Sequence, residues 1–103
     1  MRPILASALA LGVFHTNAEN HIVSQKNKSF SQGTLSVRVG EQVVFKNDDA
    51  VPHNIFSGSA GFAFNLKAQT PGTESSTTFD KAGTVEVRCA FHPTMKLTVT
   101  VAP

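Results

Sequence analysis

At 103 residues the chain has room for one domain with one hydrophobic core, and too little for two. Nine basic residues against seven acidic ones leave a formal charge of +2, too close to balance to favour nucleic acid or an anionic membrane as partner. Any docking surface should therefore rely on shape and apolar contact more than on a strong field.

The start of the chain reads as an export signal. Arg2 supplies the positive end, Pro3 to Phe14 is an almost unbroken apolar run, and Thr16-Asn17-Ala18 offers small residues to a signal peptidase. Cleavage is expected after Ala18, leaving residues 19–103 as the mature domain with eight basic and seven acidic residues. The apolar run is shorter than the roughly 20 residues that span a bilayer as a helix. A buried N-terminal helix is the alternative, disfavoured because the run has no polar face and the remainder reads as strands. No cysteine follows the run to carry a lipid. The expectation is a soluble monomer in the periplasm or a similar exported location. Exported proteins normally use cysteines in pairs. This chain has one, Cys89, which is either an inert buried thiol or a working thiolate.

From His21 onward the chain reads as short strands. Leu35, Val37 and Val39 alternate with Ser36 and Arg38, the period of a half-buried strand. Gly40-Glu41 predicts a turn, and Val43-Val44-Phe45 a second strand. Asn47-Asp48-Asp49 is a turn cluster, followed by a strand over 51–57. Residues 57–72 carry glycines and Pro71 and read as a long loop with Phe62, Phe64 and Leu66 tucked inward. Strands are expected over 73–79, 84–89 and 95–101. About seven to eight strands at turn-bounded spacing predict an all-β, antiparallel Greek-key sandwich.

Side-chain parity then brings four residues to one end. Val85, Val87 and Cys89 share the inward face of one strand, and Met95, Leu97, Val99 and Val101 that of the last. His92 lies in the loop between them, and His53 shares a parity with Val51 and Ile55. Thiolate and thioether favour Cu(I), while imidazole suits both oxidation states. Two His, one Cys and a weak axial Met are the donor set of a blue-copper electron-transfer site. Zinc is the rival metal, and Met is a poor ligand for it. Taken singly, His53 reads as a strand-end histidine, His92 as a solvated loop histidine and Met95 as core filler. Their order and the Cys-x-x-His-x-x-Met spacing make the case for copper. His15 falls in the signal segment and His21 reads as solvated near the mature terminus, so neither joins the site.

The chain resembles the cupredoxins, the blue copper proteins, from about Phe30 to Val101. The resemblance is carried by Leu35 to Asn47, by Val51-Pro-His-Asn54 and by Cys89-Ala-Phe-His-Pro-Thr-Met95, and is closest to amicyanin, pseudoazurin and plastocyanin-type members. It implies His53, Cys89 and His92 as in-plane copper ligands and Met95 as the long axial one. It also implies that Asn54 bonds across the ligand loops and puts a backbone donor near the thiolate. The His92 edge, ringed by Pro52, Phe91 and Pro93, would be where single electrons pass. A c-type cytochrome or a periplasmic dehydrogenase is the partner class implied. The family often has Pro where this chain has Phe91, and the mature chain has neither Tyr nor Trp.

Two other functions are weighed on residues. A copper carrier or storage protein would favour exposed Met- and His-rich clusters, and this chain has two Met, one of them Met1. A copper enzyme would need histidines for a second centre, and beyond His53 and His92 the mature chain has His21 alone. An electron carrier, not an enzyme, is expected.

Overall fold

Alternating inward and outward side chains organise the computed structural model, which describes residues 20–103. The expected export signal lies outside the described residues. Nine strands follow one another: β1 (Asn20–Lys26), β2 (Ser29–Phe30), β3 (Thr34–Arg38), β4 (Gln42–Asn47), β5 (His53–Ser57), β6 (Phe64–Gln69), β7 (Glu74–Thr78), β8 (Gly83–Cys89) and β9 (Lys96–Ala102). They form two sheets, β2-β1-β4-β7 and β3-β9-β8-β5-β6, closed on each other as a Greek-key sandwich.

The inward rows meet as the parity argument requires. Val23, Val43 and Phe45 of the first sheet join Val37, Ile55, Val85, Val87, Leu97, Val99 and Val101 of the second in one core. Each such side chain contributes about 1.5–3 kcal/mol on leaving water, which fixes the register of the strands that carry them. Phe30 and Phe64 extend the core edge-on against Phe45 and Phe79, at ring separations of 6.2 and 6.1 Å. Val39 leaves the pattern, because β3 ends at Arg38 and Val39 is exposed.

Three features differ from the sequence-based expectation. Most neighbours are antiparallel, but β1 and β4, and β3 and β9, run parallel. Each parallel pair is bridged by chain that crosses to the other sheet, which alternation within a strand does not encode. Second, the expected loop over 57–72 contains β6, an edge strand paired with β5. Its Asn65, Lys67 and Gln69 have weak strand propensity. The ladder is broken by one extra β6 residue opposite Asn54–Phe56, with Lys67 at φ 68°. Third, His21 is partly buried and bonds Glu41 Oε1 at 2.8 Å, where a solvated histidine was expected.

The β1–β2 hairpin stores strain close to the ligand pole. Asn27 and Lys28 take φ of 54° and 56°, the pair of left-handed residues that a type I′ turn demands. Asn tolerates this region, whereas Lys28 pays about 1–2 kcal/mol. The Lys28 N–H offsets part of that cost by donating to Asp49 Oδ2 at 2.7 Å. Lys28→Gly keeps the N–H and removes the strained Cβ. Net of the added freedom of the unfolded chain, we expect a gain of about 0.5–1 kcal/mol in urea unfolding. A loss of stability would show that the turn is not strained.

Candidate metal centre

The pole of the sandwich at the ends of β4 and β8 begins with a buried amide network. Asn47 closes β4, and its Nδ2 donates to Val51 O and Gln69 O, both at 3.0 Å, while its Oδ1 accepts the Asp49 N–H at 2.9 Å. Gln69 Nε2 donates to Phe45 O at 2.9 Å, and Gln25 Nε2 donates to Gln69 Oε1 at 3.0 Å. All three side chains are buried, and their bonds run between the two sheets. Buried amides bonded this way hold one geometry, because breaking any bond strands a polar group away from water. They set the path of the 48–52 loop into β5.

That loop delivers His53 and its partner together. His53, fully buried at the head of β5, faces Asp49 Oδ2 with Nε2 at 3.0 Å. Asp49 also accepts the Lys28 and Ala50 N–H groups. The Lys28 bond does most to hold its carboxyl well below the usual range, against partial desolvation, with help from His53 and Ala50. An ionised carboxylate only accepts, so Nε2 carries the ring proton. Nδ1 of His53 is then left with a free lone pair, the state a metal ligand requires.

Cys89 reaches the same point from β8. It is buried with Val85 and Val87 on the inward face, and it pairs with Ile55 of β5. Asn54 N–H donates to Cys89 Sγ at 3.4 Å, and Ala90 N–H donates back to Asn54 O at 2.9 Å. The β6 bulge lies opposite Asn54, whose Nδ2 donates to Asn65 Oδ1 at 2.9 Å. The expected role of Asn54 in bonding across to the thiol is therefore present in the structure.

The 90–95 loop supplies the remaining residues. Met95 N–H donates to His92 O at 3.0 Å, closing a turn, and Arg88 Nη2 donates to Pro93 O at 2.7 Å. Pro52, Phe91 and Pro93 are all exposed, Phe91 by 49% of its surface, so Phe91 is not core packing. Met95 is buried directly ahead of β9, within the core.

His53 Nδ1, Cys89 Sγ and His92 Nδ1 form a triangle with sides of 3.6, 3.7 and 3.1 Å. The point equidistant from three such corners lies about 2.0 Å from each, close to the ~2.0 Å metal–nitrogen and ~2.3 Å metal–sulfur bonds of biological sites. The donor atoms present thus fit one small metal ion. Partial burial, then the neighbouring His53, lower the pKa of His92 and favour its neutral, donating form. Among the described residues this is the one cluster of three or more His, Cys, Asp or Glu side chains able to hold an ion.

Sequence reasoning found the residues of this triangle and Asn54 beside it, and missed Asp49, Arg88, Gln25 and Gln69. Asp49 was visible as part of a turn cluster, and its spacing of four from His53 was a usable signal. The Arg88 bond to Pro93 and the Gln25–Gln69 contact join residues whose proximity only the folded sheets create.

Comparison with known proteins agrees with this geometry. Residues 17–102 match the family described as copper binding proteins, plastocyanin/azurin family. The chain is 29% identical over 99 residues to the methylamine utilization protein MauL of Methylorubrum extorquens, covering 95% of this chain and 87% of that one. It is 34% identical over 84 residues to amicyanin of Paracoccus denitrificans, covering 78% of this chain and 63% of that protein. Among solved structures, a purple cupredoxin from Nitrosopumilus maritimus superposes with a TM-score of 0.71 at 29% identity, covering 80% and 99% of the two chains. An amicyanin variant in the Cu(I) state gives 0.73 at 30% identity, covering 79% and 80%.

The Arg88 bond to the loop is open to test. Removing a hydrogen bond from a charged donor costs about 1.5–3 kcal/mol. Because the Arg88 side chain is partly exposed, the lower end of that range applies. Arg88→Ala should therefore release bound metal to a chelator about tenfold faster, and destabilise the metal-free protein by about 1.5 kcal/mol in urea unfolding. An unchanged release rate would show that the bond does not hold the loop.

Proposed function

The chain belongs to the plastocyanin/azurin family of copper-binding proteins, and from that premise we propose that it is an exported one-electron carrier with a single type 1 copper site. His53, Cys89 and His92 would hold the copper, with Met95 as a weaker fourth donor. The observation that carries this reading is the triangle of two imidazole nitrogens and one thiol sulfur, with sides suited to one ion. Copper bound there supplies one electron reversibly by alternating between Cu(I) and Cu(II). Met95 distinguishes this donor set from a zinc site.

The surrounding residues have separable tasks. Asp49 holds the proton on His53 Nε2, and so keeps Nδ1 turned to the ligand cluster. The Asn54 N–H withdraws electron density from Cys89 Sγ, which favours the reduced state. Burial of Cys89 keeps oxidants and water from the thiolate. The sandwich holds both strand ends in place, so little atomic rearrangement opposes electron transfer. Electrons pass at the His92 edge, where exposed Pro52, Phe91 and Pro93 offer an apolar contact to a c-type cytochrome or periplasmic dehydrogenase.

The test is a visible spectrum of the protein with one equivalent of Cu(II). An intense thiolate-to-copper band that bleaches with reductant and returns with oxidant is expected, and Cys89→Ser should abolish it. Copper bound without that band, or a band that survives Cys89→Ser, would overturn the assignment. Met95→Ala should keep an intense band while shifting the reduction potential. A potential equal to that of the unmodified protein would remove Met95 from the site.

A further inference from the structure

β6 reaches the ligand pole by carrying one residue more than its partner strand. Leu66 packs on the core and Gln69 joins the buried amides, yet residues three apart on a regular strand face opposite ways. Opposite Ile55, β6 places both Leu66 and Lys67, so the parity turns over and both Leu66 and Gln69 face inward. Lys67 takes a left-handed conformation there, at φ 68°, where a glycine would sit without strain. Its N–H donates to Asn65 Oδ1 at 2.8 Å, two residues back, and that bond holds Lys67 in place.

The same oxygen accepts a second bond, from Asn54 Nδ2 at 2.9 Å. Asn54 is thereby held at three points: Nδ2 by Asn65, its carbonyl by the Ala90 N–H at 2.9 Å, and its own N–H by Cys89 Sγ at 3.4 Å. The neighbouring ladders give it little else. Pairing of β5 with β8 covers Ile55↔Cys89 and Phe56↔Arg88 and stops short of Asn54, while pairing with β6 breaks directly after Asn54↔Ala68. A peptide fixed at two points pivots about the line through them, and a third contact off that line stops the pivot.

We propose that Asn65 is a positioning residue for the Cys89 sulfur: anchored by Lys67, its amide oxygen fixes Asn54 so that the Asn54 N–H stays on Sγ. The bulge is thus part of the ligand pole, although β6 supplies no candidate ligand. Without the Asn65 oxygen, Asn54 turns on its remaining contacts, and the long N–H···S bond gives way first. That bond stabilises a sulfur that gains negative charge on reduction, so weakening it disfavours the reduced state. The effect on potential rests on the proposed copper site, whereas the placement of the Asn54 N–H does not.

Amide hydrogen exchange of the metal-free protein and the reduction potential of the copper-loaded protein test this together. Asn65→Ala should speed exchange at the Asn54 N–H about tenfold, while Val99, paired on both sides within its sheet, keeps its rate. Asn65→Asp keeps an acceptor oxygen at the same place and should restore the slow exchange. With copper bound, Asn65→Ala should shift the reduction equilibrium about threefold toward the oxidised form, a fall of about 30 mV for one electron. Unchanged exchange at Asn54, equal acceleration at Val99, or no recovery in Asn65→Asp would overturn the proposal, as would an unchanged or raised potential. An unmodified protein lacking the thiolate-to-copper band would instead count against the copper site, and the exchange rates would still decide the role of Asn65.

Discussion

A soft thiol buried where two strands of one sheet end side by side is the constraint around which the ligand pole is arranged. Cys89 is inward because Val85 and Val87 are inward, and it lies beside β5 because Ile55 is its cross-strand partner. The Asn54 N–H on Sγ and the Ala90 N–H on Asn54 O lock that junction from both sides. A sulfur that could swing would lose its place relative to His53 and His92. The valine rows that exclude water thus also fix the donor atom, so packing and ligand geometry depend on the same side chains.

The opposite wall of the site is polar and equally fixed. Gln25, Asn47 and Gln69 occupy positions where hydrocarbon would pack the two sheets as well, and they spend buried hydrogen bonds instead. The gain is directional. An apolar contact tolerates sliding, whereas Asn47 and Gln69, each held at both donor and acceptor atoms, do not. Through Asn47 that directionality reaches Asp49, and through Asp49 it reaches the tautomer of His53. The strained β1–β2 turn joins the same chain of contacts by giving its Lys28 N–H to Asp49. A hairpin remote in sequence therefore bears on the lone pair of a candidate ligand.

Charge is used sparingly and locally. The carboxylates of Asp49 and Glu41 each meet a histidine and a backbone N–H, one at each end of β1. Beside His92 the exposed Phe91 and Pro93 are apolar, Thr94 and the nearby charge of Lys28 are polar, and Arg88 is turned to a loop carbonyl. A near-neutral molecule that presents an apolar edge can meet and leave its partners without a strong field to hold them.

The sequence by itself determined which residues face inward on β8 and β9, because alternation is local and each strand reports its own buried face. That parity, with the Cys89, His92 and Met95 spacing and the parity of His53, brought the ligand candidates to one pole before any strand was placed. Tertiary structure decided the rest. The parallel pairing of β1 with β4 depends on which strand crosses between sheets, and nothing within either strand records it. β6 was hidden because its residues suit a strand poorly and its bulge breaks the period; only pairing with β5 makes it one. Asp49 on His53, Arg88 on Pro93 and Gln25 on Gln69 are contacts of geometry, not of pattern. A period of two tells a side chain which way to face, but which group it meets there is set by sheets assembled from distant parts of the chain.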